Sequence, residues 1–345
     1  MHPLRFALVL CFLFAAPAVA QAQSSTPAAS PAASPVASPG QVVATDLTNP
    51  RGFAWGADGA LYVALAGNGG TSAAVVKIVD GKPAPVATGL PSAVSNTGSV
   101  LGVADVAFLD GQLYALVAGG GAENKHPDQP NGVYKIGNDG NATLVADLNA
   151  WVKNNPVASP PDHDQAGNPY QMIAGAGLLW VVIATPDQLV TVKPDGTITR
   201  VADFTTGGNH QVMTGIAAGG DGSVDIGTLS VFPFSDGTAE VFNVGADGKF
   251  SPKWTNLTAV TGVAIGPNGT LYAIEMTTGN TVKKAMNPGT GALVRQTGTN
   301  SAATVAAGFN FPIALRIGSD GLAYVAAPAV GADAGQGTIV KVPLS

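Results

Sequence analysis

Residues Gly262 to Ile274 read GVAIGPNGTLYAI, and this stretch decides the fold. Two apolar segments flank the short turn sequence Pro267-Asn268-Gly269. Asn-Gly and Asp-Gly pairs accept the positive φ that a tight turn between antiparallel strands requires. The stretch therefore predicts a β-hairpin.

The same hairpin sequence recurs along the chain from Val42 onward. Its six copies carry turn glycines at Gly59, Gly111, Gly177, Gly222, Gly269 and Gly321. Successive glycines are 45 to 52 residues apart, except for 66 residues in the second interval, and repeats of about 40 to 50 residues are typical of propeller blades. We predict six blades, with the extra residues forming an inserted loop over Asn149–Asn168.

Each blade also needs an outer strand. Four segments have that character: Pro85–Leu90, Thr143–Leu148, Ile198–Asp203 and Thr304–Gly308. The sixth copy ends at Val342-Pro343 without one, whereas a matching segment, Val42–Leu47, stands at the other end of the domain. We predict an all-β six-bladed β-propeller over residues 41–345, closed by an N-terminal strand that completes the last blade and leaves no long exposed sheet edge.

The N-terminal residues predict export. Residues 1–20 combine Arg5, an apolar run from Phe6 to Ala16 and the small-residue sequence Ala18-Val19-Ala20, which is typical of a cleavable signal peptide. Residues 21–40 repeat Pro, Ala and Ser, a composition that predicts a disordered linker. We expect a secreted or periplasmic protein.

Cysteine and charge content exclude several function classes. Cys11 is the only cysteine and lies in the predicted signal, where lipidation is the alternative to cleavage, so no thiol chemistry is expected in the mature domain. Sixteen basic against 22 acidic residues give a net charge of −6, which argues against a nucleic-acid partner. No apolar run reaches the ~20 residues of a membrane span. We expect a monomer.

Loops at one face of the predicted ring are the candidate binding surface. Loops that enter the inner strands share this face with loops between second and third strands, at the mouth of the central channel. The candidate ligand-binding residues there are Arg51, Asp164, Asn168, Tyr170, His210, Thr214, Phe232, Phe234 and Glu275. The predicted partner is a small molecule or a protein of the cell envelope.

Metal ligands and catalytic residues stay unassigned. His126, His163 and His210 could suit zinc, but they lie in different blades without ligand spacing. Oxygen donors such as Asp162, Asp164, Asn168 and Glu275 make calcium the candidate cofactor, while Asx turns are the simpler interpretation of these side chains. No G-x-S-x-G sequence marks a nucleophilic serine.

Three segments resemble the ScyD/ScyE family of exported propellers. They are Asn168-Pro169-Tyr170, Phe232-Pro233-Phe234 with the Gly237–Val241 residues after it, and Gly262–Tyr272. The similarity spans Val42 to Val342 and implies a six-bladed propeller without an assigned reaction. More distantly, the chain looks like NHL-repeat, gluconolactonase-like and strictosidine-synthase-like propellers.

The chain departs from the ScyD/ScyE pattern in two places. Family members usually carry Asp shortly before the NPY sequence, where this chain has Asp164-Gln165-Ala166-Gly167. The third strand of the fifth blade, near Ala292 to Arg295, looks degenerate. The acidic metal ligands of the lactonase branch do not map onto this sequence residue by residue.

Three functions follow as hypotheses. The first is an exported binding propeller that presents its mouth loops to a small molecule or envelope partner. The alternative is a hydrolase of the gluconolactonase type, in which a divalent metal would polarise a carbonyl and activate water. A scaffold for protein assembly is the third, and no residue singles out its partner.

Overall fold

The computed structural model describes residues 39–344 apart from 96–97, 158–166, 208–209, 329 and 331–333. The predicted signal, and the predicted linker up to residue 38, lie outside these residues. The described residues form six small sheets arranged as a six-bladed β-propeller, which confirms the predicted fold class.

The strands follow one another blade by blade. Blade one contains β2 (Pro50–Trp55), β3 (Leu61–Leu65), β4 (Gly70–Val79), β5 (Lys82–Val94) and β6 (Val100–Leu101). Blade two contains β7 (Val103–Leu109), β8 (Gln112–Val117), β9 (Gly132–Ile136) and β10 (Ala142–Asp147). Blade three contains β11 (Asn168–Gly175), β12 (Leu178–Thr185), β13 (Gln188–Val192) and β14 (Ile198–Asp203). Blade four contains β15 (Met213–Ala218), β16 (Val224–Thr228), β17 (Ala239–Val244) and β18 (Phe250–Leu257). Blade five contains β19 (Val260–Ile265), β20 (Leu271–Glu275), β21 (Gly291–Gly298) and β22 (Ser301–Phe309). Blade six contains β23 (Ala314–Ile317), β24 (Ala323–Ala327) and β25 (Gly337–Val342), and β1 (Gln41–Leu47) joins it as the fourth strand.

The turn glycines behave as their sequence predicts. All six have positive φ, between 73° and 84°. In the second blade Asp110 also has positive φ, at 50°, so both central residues of that two-residue turn are left-handed. In the first blade only Gly59 is left-handed, and the carboxylate of Asp58 accepts a hydrogen bond from the amide of Ala60 at 3.1 Å.

The N-terminal strand closes the ring. Strand β1 pairs antiparallel with β25, for example Ala44 opposite Ile339. The prediction that an N-terminal strand completes the last blade is therefore confirmed. Ala44 and Leu47 are 1% and 0% exposed. They belong to the apolar cluster between blades six and one, where Trp55 and Tyr324 meet edge to face at 5.0 Å.

The inner strands are linked to one another around the central channel. Asp105 of β7 accepts a hydrogen bond from the amide of Met172 at 2.9 Å, and Gln171 of β11 accepts one from the amide of Ile216 at 2.7 Å. The corresponding residues of β15 and β19 are glycines, and an added Cβ at Gly215 would lie 2.6 Å from the amide nitrogen of the β19 residue Val263. In blades four and five, glycine therefore lets the backbones of neighbouring inner strands approach directly. In blades two and three, a polar side chain bridges the gap instead.

Two sequence expectations need correction. The inserted segment begins as an α-helix, α1 (Leu148–Asn154), rather than as a loop, because the carboxylate of Asp147 caps it and Leu148 and Val152 are buried. Strand β21 is not degenerate: it pairs with both β20 and β22, and its residues Ala292 to Val294 are buried.

Helices are short in the part of the chain that the structure describes. Besides α1 there are 3₁₀ turns at Ala122–Asn124 and Phe204–Gly207. No helix among these residues has the length and apolar character needed to cross a membrane.

Candidate functional site

A cavity of about 170 Å³ lies at the end of the channel where the chain enters the inner strands. This is the face that the sequence predicts for a site. Every blade contributes to the wall, represented in order by Arg51, Ala104, Tyr170, Val212, Met276 and Ile313. Part of the wall belongs to the inner strands, which the links described above join, and part belongs to the loops beside them.

The wall is mainly apolar. Its larger apolar side chains come from irregular segments as well as strands: Val100, Leu101, Leu229, Val231, Met276 and Met286. Ser99, Asn168, Gln171 and Thr185 add neutral polar groups, while none of the described residues in the wall is Asp or Glu. The cavity therefore offers apolar contact with a few polar groups that can orient a ligand.

Arg51 is the only Arg or Lys among the described residues of this wall. It lies at the start of β2 and is partly exposed to the cavity. Its guanidinium donates to the carbonyl oxygens of Pro50 at 3.2 Å and Val100 at 2.8 Å. Burial lowers the pKa of Arg51 to about 10, and nearby Tyr170 opposes this shift. The side chain is therefore still charged at neutral pH.

Tyr170 lies beside Arg51 in the cavity wall. Its position follows from β11, where alternate residues face opposite sides of the strand and Tyr170 is half-buried between Pro169 and Gln171. Burial raises the pKa of Tyr170 above its usual value, an effect that the charge of Arg51 reduces. The phenol therefore stays protonated and can donate a hydrogen bond.

His210 is oriented by a buried carboxylate. Its Nδ1 lies 2.8 Å from Oδ2 of Asp187, which is fully buried and also accepts hydrogen bonds from the amides of Gln211 and Met213. The imidazole side chain is 9% exposed and contributes to the cavity wall. This pair can hold the ring in one orientation toward a ligand.

Five of the predicted site residues meet at the cavity: Arg51, Asn168, Tyr170, His210 and Phe232. They come from blades one, three and four. Phe232 is 44% exposed and lies at the rim. The predicted set thus includes some of the polar groups of the wall and one aromatic residue at its edge, whereas Ser99, Gln171 and Thr185 were not predicted.

Three other predicted residues lie apart from the cavity. Thr214 is fully buried and its hydroxyl donates to the carbonyl oxygens of Gly227 and Val260. Phe234 is also fully buried and packs in an apolar cluster behind the wall. Glu275 ends β20 and accepts a hydrogen bond from the amide of Thr258 at 2.7 Å. Asp164 lies outside the described residues.

The metal hypotheses find no ligand cluster in the described ranges. These residues contain no group of three or more His, Cys, Asp or Glu that could hold a metal ion. His126 lies in the β8–β9 connection, with its Nε2 3.4 Å from the carbonyl oxygen of Ser92. Asp162, His163 and Asp164 lie in the segment that the structure does not describe, so calcium stays a prediction.

The sequence missed several residues that shape the site. Asp187 follows Pro186 in the hairpin between β12 and β13, where Pro-Asp is a common turn sequence and gives no sign of a role behind a histidine. Val100, Leu101 and Met286 belong to segments without strand periodicity. Only their position beside the entrance to the channel shows that these residues line the cavity, and this position is known only from the folded structure.

Comparison with known proteins places the fold in a broad group. The solved structures that resemble it include an oxidoreductase assigned as a glucose dehydrogenase from Thermus thermophilus, with a TM-score of 0.60 and 14% identity over 88% of this chain and 98% of that one. A calcium-binding protein, regucalcin, from Agrobacterium tumefaciens has a TM-score of 0.56 and 14% identity, over 88% of this chain and 94% of that one. A gluconolactonase from Xanthomonas campestris has a TM-score of 0.52 and 11% identity, over 87% of this chain and 88% of that one.

These identities show the fold alone. No protein-family model matches the sequence, and a search of curated proteins gives no match either. Fold and site together define a six-bladed β-propeller with gluconolactonase-like and glucose-dehydrogenase-like structural neighbours and an apolar cavity at one mouth.

Proposed function

We propose that the protein is an exported, ScyD/ScyE-like binding propeller that holds a small organic molecule in the mouth cavity. The observation that carries this proposal is the cavity itself, to which all six blades contribute and where Arg51, Tyr170 and His210 adjoin an apolar wall. Apolar burial supplies affinity, and the polar groups fix orientation. Export rests on the signal-like composition of residues 1–20, and family membership rests on the NPY and FPF segments.

A substitution at the rim tests the proposal. Val231 is 50% exposed and contributes to the wall, so Val231→Trp should fill the entrance without disturbing the core. We expect toluene and benzoate to bind the unchanged protein, and Val231→Trp to weaken whichever binds more tightly by about tenfold, measured by isothermal titration calorimetry. Val282→Trp is the matched control, because Val282 is 82% exposed and lies away from the cavity. Failure of both ligands to bind would contradict the proposal.

Divalent-metal-dependent hydrolysis of the gluconolactonase type is the alternative, with calcium as the candidate metal. Its support is the likeness of fold to a gluconolactonase and to a calcium-binding regucalcin. A ligand that binds only the folded state raises the midpoint of thermal unfolding. A midpoint that rises with calcium and falls with chelator would therefore move this alternative ahead of simple binding.

A further inference from the structure

Two arginines of the described residues lie near the channel, and only one of them is paired with a described carboxylate. Nη2 of Arg316 lies 2.8 Å from Oδ2 of Asp105, which is fully buried. Arg51 makes two hydrogen bonds, both to carbonyl oxygens, and no ion pair with any described residue. A partly buried cation without a counter-ion is unfavourable in the free protein, and an anion beside it relieves this cost.

The surroundings of Arg51 favour an anion from outside the chain. The described residues of the wall include no acidic side chain, although the chain as a whole carries a net charge of −6. A guanidinium has five N–H donors in a planar fork, and two hydrogen bonds leave others for a ligand. The protonated hydroxyl of neighbouring Tyr170 is a further donor.

The size of the cavity limits the ligand. An apolar cavity of about 150 Å³ accommodates benzene, and the cavity here is of similar volume, about 170 Å³. It can take a single ring or a short branched chain. One arginine balances one negative charge, so a dianion would place a second charge against an apolar wall.

From these observations we propose that the cavity binds a small organic acid, with its carboxylate on Arg51 and an apolar body about the size of one ring against Val100, Leu101 and Met276. This inference rests on the proposed function and names its ligand class. The planar carboxylate matches the guanidinium fork in geometry and charge. Tyr170 would supply an additional hydrogen bond to the same group.

The test compares benzoate with benzamide, its neutral analogue of nearly the same shape. In the full protein at pH 7 we expect benzoate to bind at least about tenfold more tightly, because hydrogen bonds to charged groups are the stronger ones. Arg51→Gln should remove that preference, whereas Arg51→Lys should retain part of it. Calorimetric dissociation constants and thermal midpoints of each variant give the readout.

Matched controls separate the possible results. Arg295→Gln removes the same charge from an exposed position on β21 and should leave both affinities unchanged. Equal affinity for benzoate and benzamide, or tighter binding of the dianion phenyl phosphate, would overturn the carboxylate assignment while the cavity still binds. No binding of benzoate, benzamide or toluene would overturn the proposed function itself.

Discussion

At the scale of single residues, the environment decides whether an ionisable group is structural or available to a ligand. Arg316 and Asp105 join blades six and two, and Asp105 also bonds the amide of Met172 in blade three, so this pair is occupied by the fold. Among the described residues, Arg51 bonds main-chain carbonyls alone, and it lies against a cavity. The same residue type therefore serves two purposes in one ring.

Glu275 shows the effect of burial on a carboxyl group. The pKa of Glu275 is raised from 4.5 to about 7, mainly by burial; the hydrogen bond from Thr258 opposes the shift, and the charge of Asp236 adds to it. Since the folded-state pKa lies above the unfolded value, the folded state holds this proton more tightly. The stability that protonation provides is full below pH 4.5 and is lost as the pH rises through about 7.

Glu275→Gln should remove this pH dependence. Its amide oxygen can still accept from Thr258, but the side chain does not ionise. We expect the variant and the unchanged protein to have similar free energies of unfolding at about pH 4, and the variant to be more stable at about pH 8 by at most about 3 kcal/mol. Urea unfolding at both pH values measures the difference. Glu123→Gln at an exposed position is the control, and a constant difference at all pH values would argue against the burial effect.

At the scale of elements, neighbouring inner strands are joined either by a polar side chain or by direct approach of their backbones. Asp105 and Gln171 span the gap to the next inner strand, whereas Gly215 and Gly262 let adjacent strands approach directly. An added Cβ at Gly262 would lie 2.9 Å from the amide nitrogen of Leu315. Spacing around the ring therefore depends on which residue occupies this position in each inner strand.

Gly215→Ala should disturb this spacing. The new methyl group would lie 2.6 Å from the backbone of Val263, and backbone can yield only if the strands separate. We expect a loss of about 1–3 kcal/mol in the free energy of unfolding. Gly175→Ala at the end of β11 is the comparison, because an added Cβ there meets nothing within 4 Å and the change should stay within about 0.5 kcal/mol. Equal effects of the two variants would refute close approach as the cause.

The sequence predicts elements better than it predicts the site, for a physical reason. Strands and turns are encoded locally, by apolar alternation and by glycines that accept positive φ, so six hairpins and Ile198–Asp203 could be identified from the sequence alone. The direction of a loop side chain depends on tertiary packing. Phe232 and Phe234 are two residues apart, yet one lies at the rim and the other is fully buried.

The two elements that the sequence predicts wrongly, strand β21 and helix α1, also depend on tertiary contacts. Strand β21 carries weak alternation because all of Gly291 to Val294 are buried, and partners on both sides stabilise it. Helix α1 depends on the cap from Asp147 and on burial of Val152 beneath blades two and three. In both cases contacts distant in sequence outweigh the local pattern.

At the scale of the whole molecule, the ring is held closed by pairing between its first and last strands. Strand β1 covers the edge of β25 and buries Leu47 and Ala44 at the junction of blades six and one. Without it, β25 would present an unpaired edge to solvent. The closure is therefore both a packing contact and protection against association.

A chain that begins at Thr48 should lose this protection. Burial of Leu47 and the main-chain pairing of β1 would disappear, so we expect the free energy of unfolding to fall by about 3 kcal/mol or more. Light scattering should also detect association through the open edge. A chain that begins at Pro39 keeps β1 and serves as the control, and equal stability of the two truncated chains would exclude a closing role.

The closing pair also has a consequence for the order in which the protein can be made. Blade six combines the first and the last strand of the described domain, so the other five sheets can complete their hydrogen bonds while this one still waits for its partner. The ends of the folded domain are consequently neighbours in one sheet. If they were joined and the chain were opened at another hairpin, a circular permutant would move the late step to a different blade without changing any native contact within the ring.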